Sequence, residues 1–199
     1  IELAYASGRY EAVIDLSTTL SEQLTSLDRE RADYLMAMAL IKQQQFESAE
    51  QRLAELYKKS SSTEKRRDYQ EAYAVAIYQQ AKSSQAADNA VVSIQHLIRL
   101  TQLLPTATIS ADALYEAITL AVKSEQWALA ANASELFLQR YKSHRSAVDV
   151  NRYLSTIYLN VGDTDRAAVA LETMSSQEKD TDVQMAALWQ AGRVHDLQR

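Results

Sequence analysis

Apolar residues along this chain return at steps of three and four, the spacing of one helix face, rather than in the alternation of a half-buried strand. One stretch shows the habit: Tyr34, Met38 and Ile41 fall along one edge, with Leu35 and Ala39 beside them. A longer rhythm is laid over this one. A helical stretch ends in a short polar or Gly corner, an aromatic or small residue follows, Ala comes three positions later, and Leu returns at further helical spacing. Residues 44–57 read Gln44-Gln45-Phe46-Glu47-Ser48-Ala49, then Leu53 and Leu56-Tyr57. Residues 125–138 read Glu125-Gln126-Trp127-Ala128-Leu129-Ala130, then Phe137-Leu138. Residues 162–174 read Gly162-Asp163-Thr164-Asp165-Arg166-Ala167, then Leu171 and Met174. Gly8-Arg9-Tyr10-Glu11-Ala12-Val13 gives the same corner near the start, with Val13 in the Ala place. With Gln85 as a fainter copy, the corners fall at 8, 44, 85, 125 and 162.

Each unit predicts two antiparallel helices. Helix starts are expected at Ser26, Ser110 and Ser146, followed by Asp28, Asp112 and Asp149 in the first turn, where the helix dipole favours an acid. Ser60-Ser61-Ser62-Thr63 marks a break between units, and Pro105 closes the helix that ends at Leu103-Leu104. The chain therefore reads as one repeat domain, 1–199, with units at about 1–25, 26–60, 63–105, 110–143 and 146–177 and a half unit at 180–199. Small residues at Ala37, Ala49, Ala130 and Ala167 let paired helices approach closely, while aromatics fill the space between units. No single pair hides its apolar face alone, so the units must stack.

Composition narrows the class further. Three Gly and one Pro are too few for the turns of a sandwich or barrel, and too few for a phosphate-cradling loop. A net charge of −5 opposes nucleic-acid binding, which draws most of its affinity from neutralised phosphates. The absence of Cys removes disulfide scaffolds, thiolate zinc sites and thiol nucleophiles. No apolar run approaches the roughly 20 residues needed to span a bilayer, so no direct membrane insertion is expected. The sequence opens at Ile1 with no initiating Met or signal peptide and stops at Arg199 inside a helical pattern, which reads as a segment of a longer protein.

Candidate chemistry is sparse. His96, His144 and His195 lie on three different units without a metal-ligand spacing, and read as surface or interface imidazoles. No nucleophile elbow is present. Carboxylate pairs such as Glu47 with Glu50 and Asp163 with Asp165 read as solvated corners rather than as an acid–base couple. Lys58, Lys59, Lys65, Arg66 and Arg67 flank the serine run and read as a solvated junction. Trp127 holds a corner position that packs between helices, whereas Trp189 falls in the terminal half unit. No catalytic residue, metal site or cofactor is expected, and the chain reads as a non-enzyme.

The corner Gly with its acid (Gly162-Asp163), the corner aromatics (Tyr10, Phe46, Trp127) and the small residue inside each second helix (Ala49, Ala130, Ala167) resemble the tetratricopeptide repeat family. The resemblance covers nearly the whole chain and is weakest over residues 70–105. The sequence departs from the family in its longer steps and in carrying Gln44, Gln85 and Glu125 where the family has a corner Gly. It implies an all-α fold, a right-handed superhelical α-solenoid of about four to five helix–turn–helix repeats with half repeats at both ends. It also implies a concave groove lined by the first helix of each unit. Carried over position by position, the groove residues that would contact a partner are Arg31, Tyr34, Met38, Gln79, Tyr115, Thr119, Arg152 and Thr156. Tyr34, Leu35 and Met38 stand where the family's carboxylate-clamp subtype has Lys, Arg and Asn, which opposes a chaperone-tail receptor. The stretches Ile98-Arg99-Leu100 through Leu104-Pro105-Thr106, and Ala187-Leu188-Trp189-Gln190-Ala191, are similar to large bacterial periplasmic repeat proteins. The expected function is a scaffold that binds a protein or peptide, in a bacterial envelope assembly. Its alternatives are a structural spacer or a regulatory segment of a larger enzyme or signalling protein. The terminal half units leave faces open through which copies could associate.

Overall fold

The computed structural model describes residues 1–177 and 180–196. Among the described residues there are eleven helices and no strand: α1 (Glu2–Ala6), α2 (Tyr10–Leu20), α3 (Ser26–Lys42), α4 (Phe46–Lys59), α5 (Thr63–Ala86), α6 (Ala90–Leu103), α7 (Ser110–Lys123), α8 (Trp127–Arg140), α9 (Ala147–Asn160), α10 (Thr164–Gln177) and α11 (Thr181–Asp196). Each helix packs on the one before it and the one after it in sequence. Next-but-one packing joins α1 to α3, α3 to α5 and α7 to α9, all of them first helices of a hairpin. First helices therefore form the inner row of the solenoid, with the second helices outside.

The corners that join the two helices of a hairpin are built alike. Gly8, Gln44, Asp88, Glu125 and Gly162 all adopt a left-handed backbone, with φ between 57° and 79°. At Gln44 the amide donates to the Ile41 carbonyl (3.0 Å), and the next amide, of Gln45, reaches back to Leu40 (2.9 Å). The same two bonds recur at the other four corners, so each hairpin ends its first helix in a Schellman motif that satisfies the otherwise orphaned carbonyls.

This geometry corrects the register of the weakest unit. Its corner is Asp88, not Gln85, because Asp88 carries the positive φ and its amide bonds back onto the Gln85 carbonyl (3.1 Å). Counted from Asp88, the last three corners lie 37 residues apart, and α6, α8 and α10 are all 14-residue helices in the same phase. From Gln44 to Asp88 the step is 44 residues, and it is long because α5, at 24 residues, is ten longer than α7 or α9. Its surplus lies at the N-terminal end, beyond the length that the flanking first helices reach.

The position five residues after each corner is fully buried: Val13, Ala49, Ser93, Ala130 and Ala167 all have no exposed surface. Here the second helix leans closest on its neighbours, and only a small or short branched side chain fits. Ser93 occupies that place in the second complete unit, and its buried hydroxyl has no hydrogen-bond partner.

Two of the expected helix starts shift by one residue. Thr25, not Ser26, caps α3, its hydroxyl oxygen accepting from the Asp28 amide (3.2 Å). Ser110 is the first residue of α7 rather than its cap, and its buried hydroxyl donates to the Leu104 carbonyl (2.5 Å). Pro105 follows Leu104, so the chain cannot continue as helix there and the serine secures the bend. Ser146 does precede α9, without a side-chain cap bond.

Two stability outcomes follow from the corners and the buried serine. Ser93→Ala should raise the urea midpoint, gaining about 1 kcal/mol, because it removes an unsatisfied buried hydroxyl from a position that elsewhere holds Ala. Gly162→Ala should cost about 1 kcal/mol in the same measurement: the space around its Cβ is open, so the loss is one of backbone conformation alone.

Candidate functional site

The inner row of first helices carries one half-buried tyrosine per complete unit. Ten residues before the corner stand Tyr34, Tyr78 and Tyr115, and in the fourth unit Arg152 takes that place with Tyr153 next to it. Eleven Tyr against two Phe in the whole chain fits this layout, since a ring packed on its neighbours with a hydroxyl at the rim suits a surface that is neither core nor fully wet. Tyr34 tilts against Tyr69 at 5.2 Å, and Tyr115 packs at 6.3 Å from Phe137. Burial, together with nearby Tyr153 and Asp149, raises the Tyr115 hydroxyl above its usual pKa.

Two symmetric clamps fasten α5 to the first helices on either side. Near its start, Lys65 and Tyr69 both donate to Glu30 of α3, at 2.8 and 2.9 Å. Toward its end, Tyr78 and Lys82 both donate to Glu116 of α7, at 2.8 and 2.9 Å. Each pair is spaced four residues apart, so the two donors sit one turn apart on one face and converge on a single carboxylate. The Lys65 hydrogen bond holds the Glu30 carboxyl below the usual range, against a smaller effect of burial. Burial first, and then the bond to Glu116, push the Tyr78 hydroxyl up to about 12.

A third polar node lies among α4, α5 and α6. Glu50 takes both guanidinium nitrogens of Arg99, at 2.5 and 2.9 Å, and the Gln80 amide at 2.6 Å. Its side chain is only 13% exposed, so the expectation of a solvated corner carboxylate fails for Glu50. Burial would raise its pKa, but the Arg99 and Gln80 hydrogen bonds outweigh burial and leave it lowered. His96 sits beside Arg99 (3.2 Å), and burial, with that guanidinium, disfavours its charged form. His144 packs edge-on against Phe137 at 5.7 Å, while the His195 side chain lies outside the described residues.

The residues carried over to the groove fall as follows. Arg31 is exposed and ion-paired with Glu2 (2.7 Å). Met38 is half-buried against the core. The Thr119 hydroxyl bonds within its own helix to the Glu116 carbonyl (2.9 Å). Arg152 meets Asp149 one turn away (3.5 Å), and Thr156 is exposed. Gln79 is displaced by the register correction: the position equivalent to Met38 and Thr119 is Lys82, and the one equivalent to Tyr34 and Tyr115 is Tyr78. Tyr69, Glu30 and Glu116 went unnoticed in the sequence, where only a count from the true corner would have raised Tyr78, and nothing local marks Glu116 as its partner or Glu30 as that of Tyr69.

Elsewhere the basic junction is partly neutralised, Lys59 by Glu55 (2.7 Å) and Lys65 by Glu30, while Arg66 lies over the Tyr57 ring at 4.8 Å. Trp127 packs on the core, and Trp189 is 67% exposed. Among the described residues no group of His, Asp or Glu could hold a metal ion, and no helix is long and apolar enough to cross a membrane.

Repeated hairpins, a fixed left-handed corner and a shared inner row define the class: this chain is an all-helical repeat protein, an α-solenoid of stacked helical hairpins. No protein-family model matches it, and no curated protein does. Among solved structures it is similar to the crystal structure of a Podosopora anserina protein described as a kinesin light chain with nearly identical TPR-like repeats. That match has 13% identity, a TM-score of 0.47, and covers 87% of this chain and 90% of that one. It is also similar to BtubC (BKLC) from P. vanneervenii, at 12% identity and a TM-score of 0.43, over 99% of this chain and 91% of that one.

Acid should expose the buried carboxylates. Glu30 and Glu50 have lowered pKa values in the folded chain, so the unfolded state takes up more protons below their ordinary value of about 4.3. Their stabilisation is fully present above that pH and is lost as pH falls through the lowered values, so the urea midpoint should hold from neutrality to about pH 5 and drop below it. Arg99→Ala strands Glu50 and should cost about 2 kcal/mol at pH 7, discounted from a fully buried pair because Arg99 is 38% exposed.

Proposed function

We propose that this chain is a non-enzymatic scaffold that binds a protein or peptide segment along the inner row of first helices. The single observation that carries the reading is the tyrosine series Tyr34, Tyr78, Tyr115 and Tyr153, one on each successive first helix and each only half-buried. Tyrosine and arginine dominate interface hot spots, because a rigid ring or a planar guanidinium gives large contact area at small entropic cost. Arg31, Met38, Thr119, Arg152 and Thr156 supply the surrounding contacts, and Gln79 lies one position from the tyrosine row. A partner lying along the row meets a surface already held in shape, since the clamps at Glu30 and Glu116 fix the spacing of α3, α5 and α7 before anything binds. The bacterial envelope setting is part of the proposal and rests on the sequence likeness alone.

Replacing Tyr34 and Tyr115 together with Ala should lower recovery of a co-purified partner by about tenfold or more, the loss of two hot-spot contacts, while circular dichroism stays helical. Full recovery by the double variant would overturn the groove and leave a spacer between flanking parts as the better account.

A further inference from the structure

The inner row is not uniform along its length. Where the surplus N-terminal turns of α5 run beside the start of α3, the two helices border a half-open cavity of about 420 Å³ lined by Leu27, Asp28, Arg31, Tyr34, Lys65, Asp68 and Tyr69. Its chemistry is one-sided. Both of its cations are already neutralised: Arg31 pairs with Glu2 at 2.7 Å, and Lys65 pairs with Glu30 at 2.8 Å. Asp68 forms no ion pair among the described residues, and Asp28 is met only by the Thr25 hydroxyl (2.6 Å) and its own helix. The cavity thus holds two uncompensated carboxylates, a pair of tyrosine rings 5.2 Å apart and a leucine left 64% exposed.

We propose that this cavity receives an arginine side chain of the bound partner segment. The aliphatic stem lies along Leu27, the planar guanidinium stacks on the accessible face of Tyr34, and its N–H groups donate to Asp68 and Asp28. An arginine meets each of these features at once, whereas an acidic side chain would face the same two carboxylates and be repelled. Tyr69 cannot rotate away, because its hydroxyl is held by Glu30 at 2.9 Å, so the aromatic wall is fixed in advance. Burial and the neighbouring Asp68 charge raise the Tyr34 hydroxyl above its usual pKa, consistent with a local negative field. The site rests on the groove reading for the path of the partner, but its own recognition is local and separately measurable.

The probe is the capped tripeptide acetyl-Ala-Arg-Ala-amide, titrated into the ¹⁵N-labelled chain, with the citrulline tripeptide as an uncharged isostere. The arginine peptide should give saturable amide shifts confined to residues 27–34 and 65–69. Affinity should be in the millimolar range and fall about fivefold or more for citrulline, for Asp68→Asn and for Tyr34→Leu. Asp68 is exposed and unpaired, so Asp68→Asn should leave the thermal midpoint in place and lose binding alone. Absence of saturable shifts in those two stretches, or equal binding of the citrulline peptide or by Asp68→Asn, would overturn the proposal. Binding of the arginine peptide by the unaltered chain, together with full partner capture by the Tyr34/Tyr115 double variant, would instead retain this site and refute the groove.

Discussion

Each described helix has more apolar surface than one neighbour can cover, and hides most of it against the helices before and after it in sequence. That constraint makes the fold a row rather than a ball. Ile77, Leu97, Ile118, Phe137 and Ile157 are all fully buried, yet they lie in successive helices strung along one continuous interior. Packing of this kind needs little long-range chain closure, so stability is nearly a sum over neighbouring hairpins. It also needs each reversal to bring the second helix back at the same angle. The left-handed corner supplies that reversal even where Gln44, Asp88 and Glu125 bear the steric cost that Gly8 and Gly162 avoid.

Polar groups then decide how neighbouring hairpins sit. Apolar seams are tolerant of sliding, but a carboxylate that must receive a lysine and a tyrosine from the next first helix is not. Glu30 and Glu116 fix α5 at both ends, and Glu50 fixes α6 against α4 and α5 through Arg99 and Gln80. The longest helix, α5, is also the one held by the most such contacts. Rigidity of this kind matters for a binding face, because a partner that meets a preset row of tyrosines has less ordering to impose.

The surplus turns of α5 do more than lengthen a helix. Each regular first helix ends where its neighbours end and leaves a shallow row. At α5 the overhang runs beside α3 and borders a half-open cavity whose own cations are already paired with carboxylates. A departure from the repeat thus shapes the stretch of the inner row where the proposed arginine site lies, as is common where a function is placed on a regular scaffold.

The sequence by itself determined the helical class, the hairpin order and most of the interior, because three-and-four spacing and the small residue after each corner are local patterns. Ala49, Ala130 and Ala167 could be read as close-approach positions from spacing alone, and all three are fully buried. The same reasoning missed Asp88 and Ser93, since neither residue looks like the Gly or Ala that the pattern calls for; only the backbone dihedral and the packing reveal that they hold those places. It also misjudged Glu50, which reads as a wet corner carboxylate until Arg99, forty-nine positions away, is folded onto it. Pairings such as Tyr69 with Glu30, Tyr78 with Glu116 and the cavity between α3 and α5 were decided by tertiary structure alone. Periodicity tells which face of a helix is apolar, but it carries no information on which polar atoms of another helix will stand within three ångströms of it.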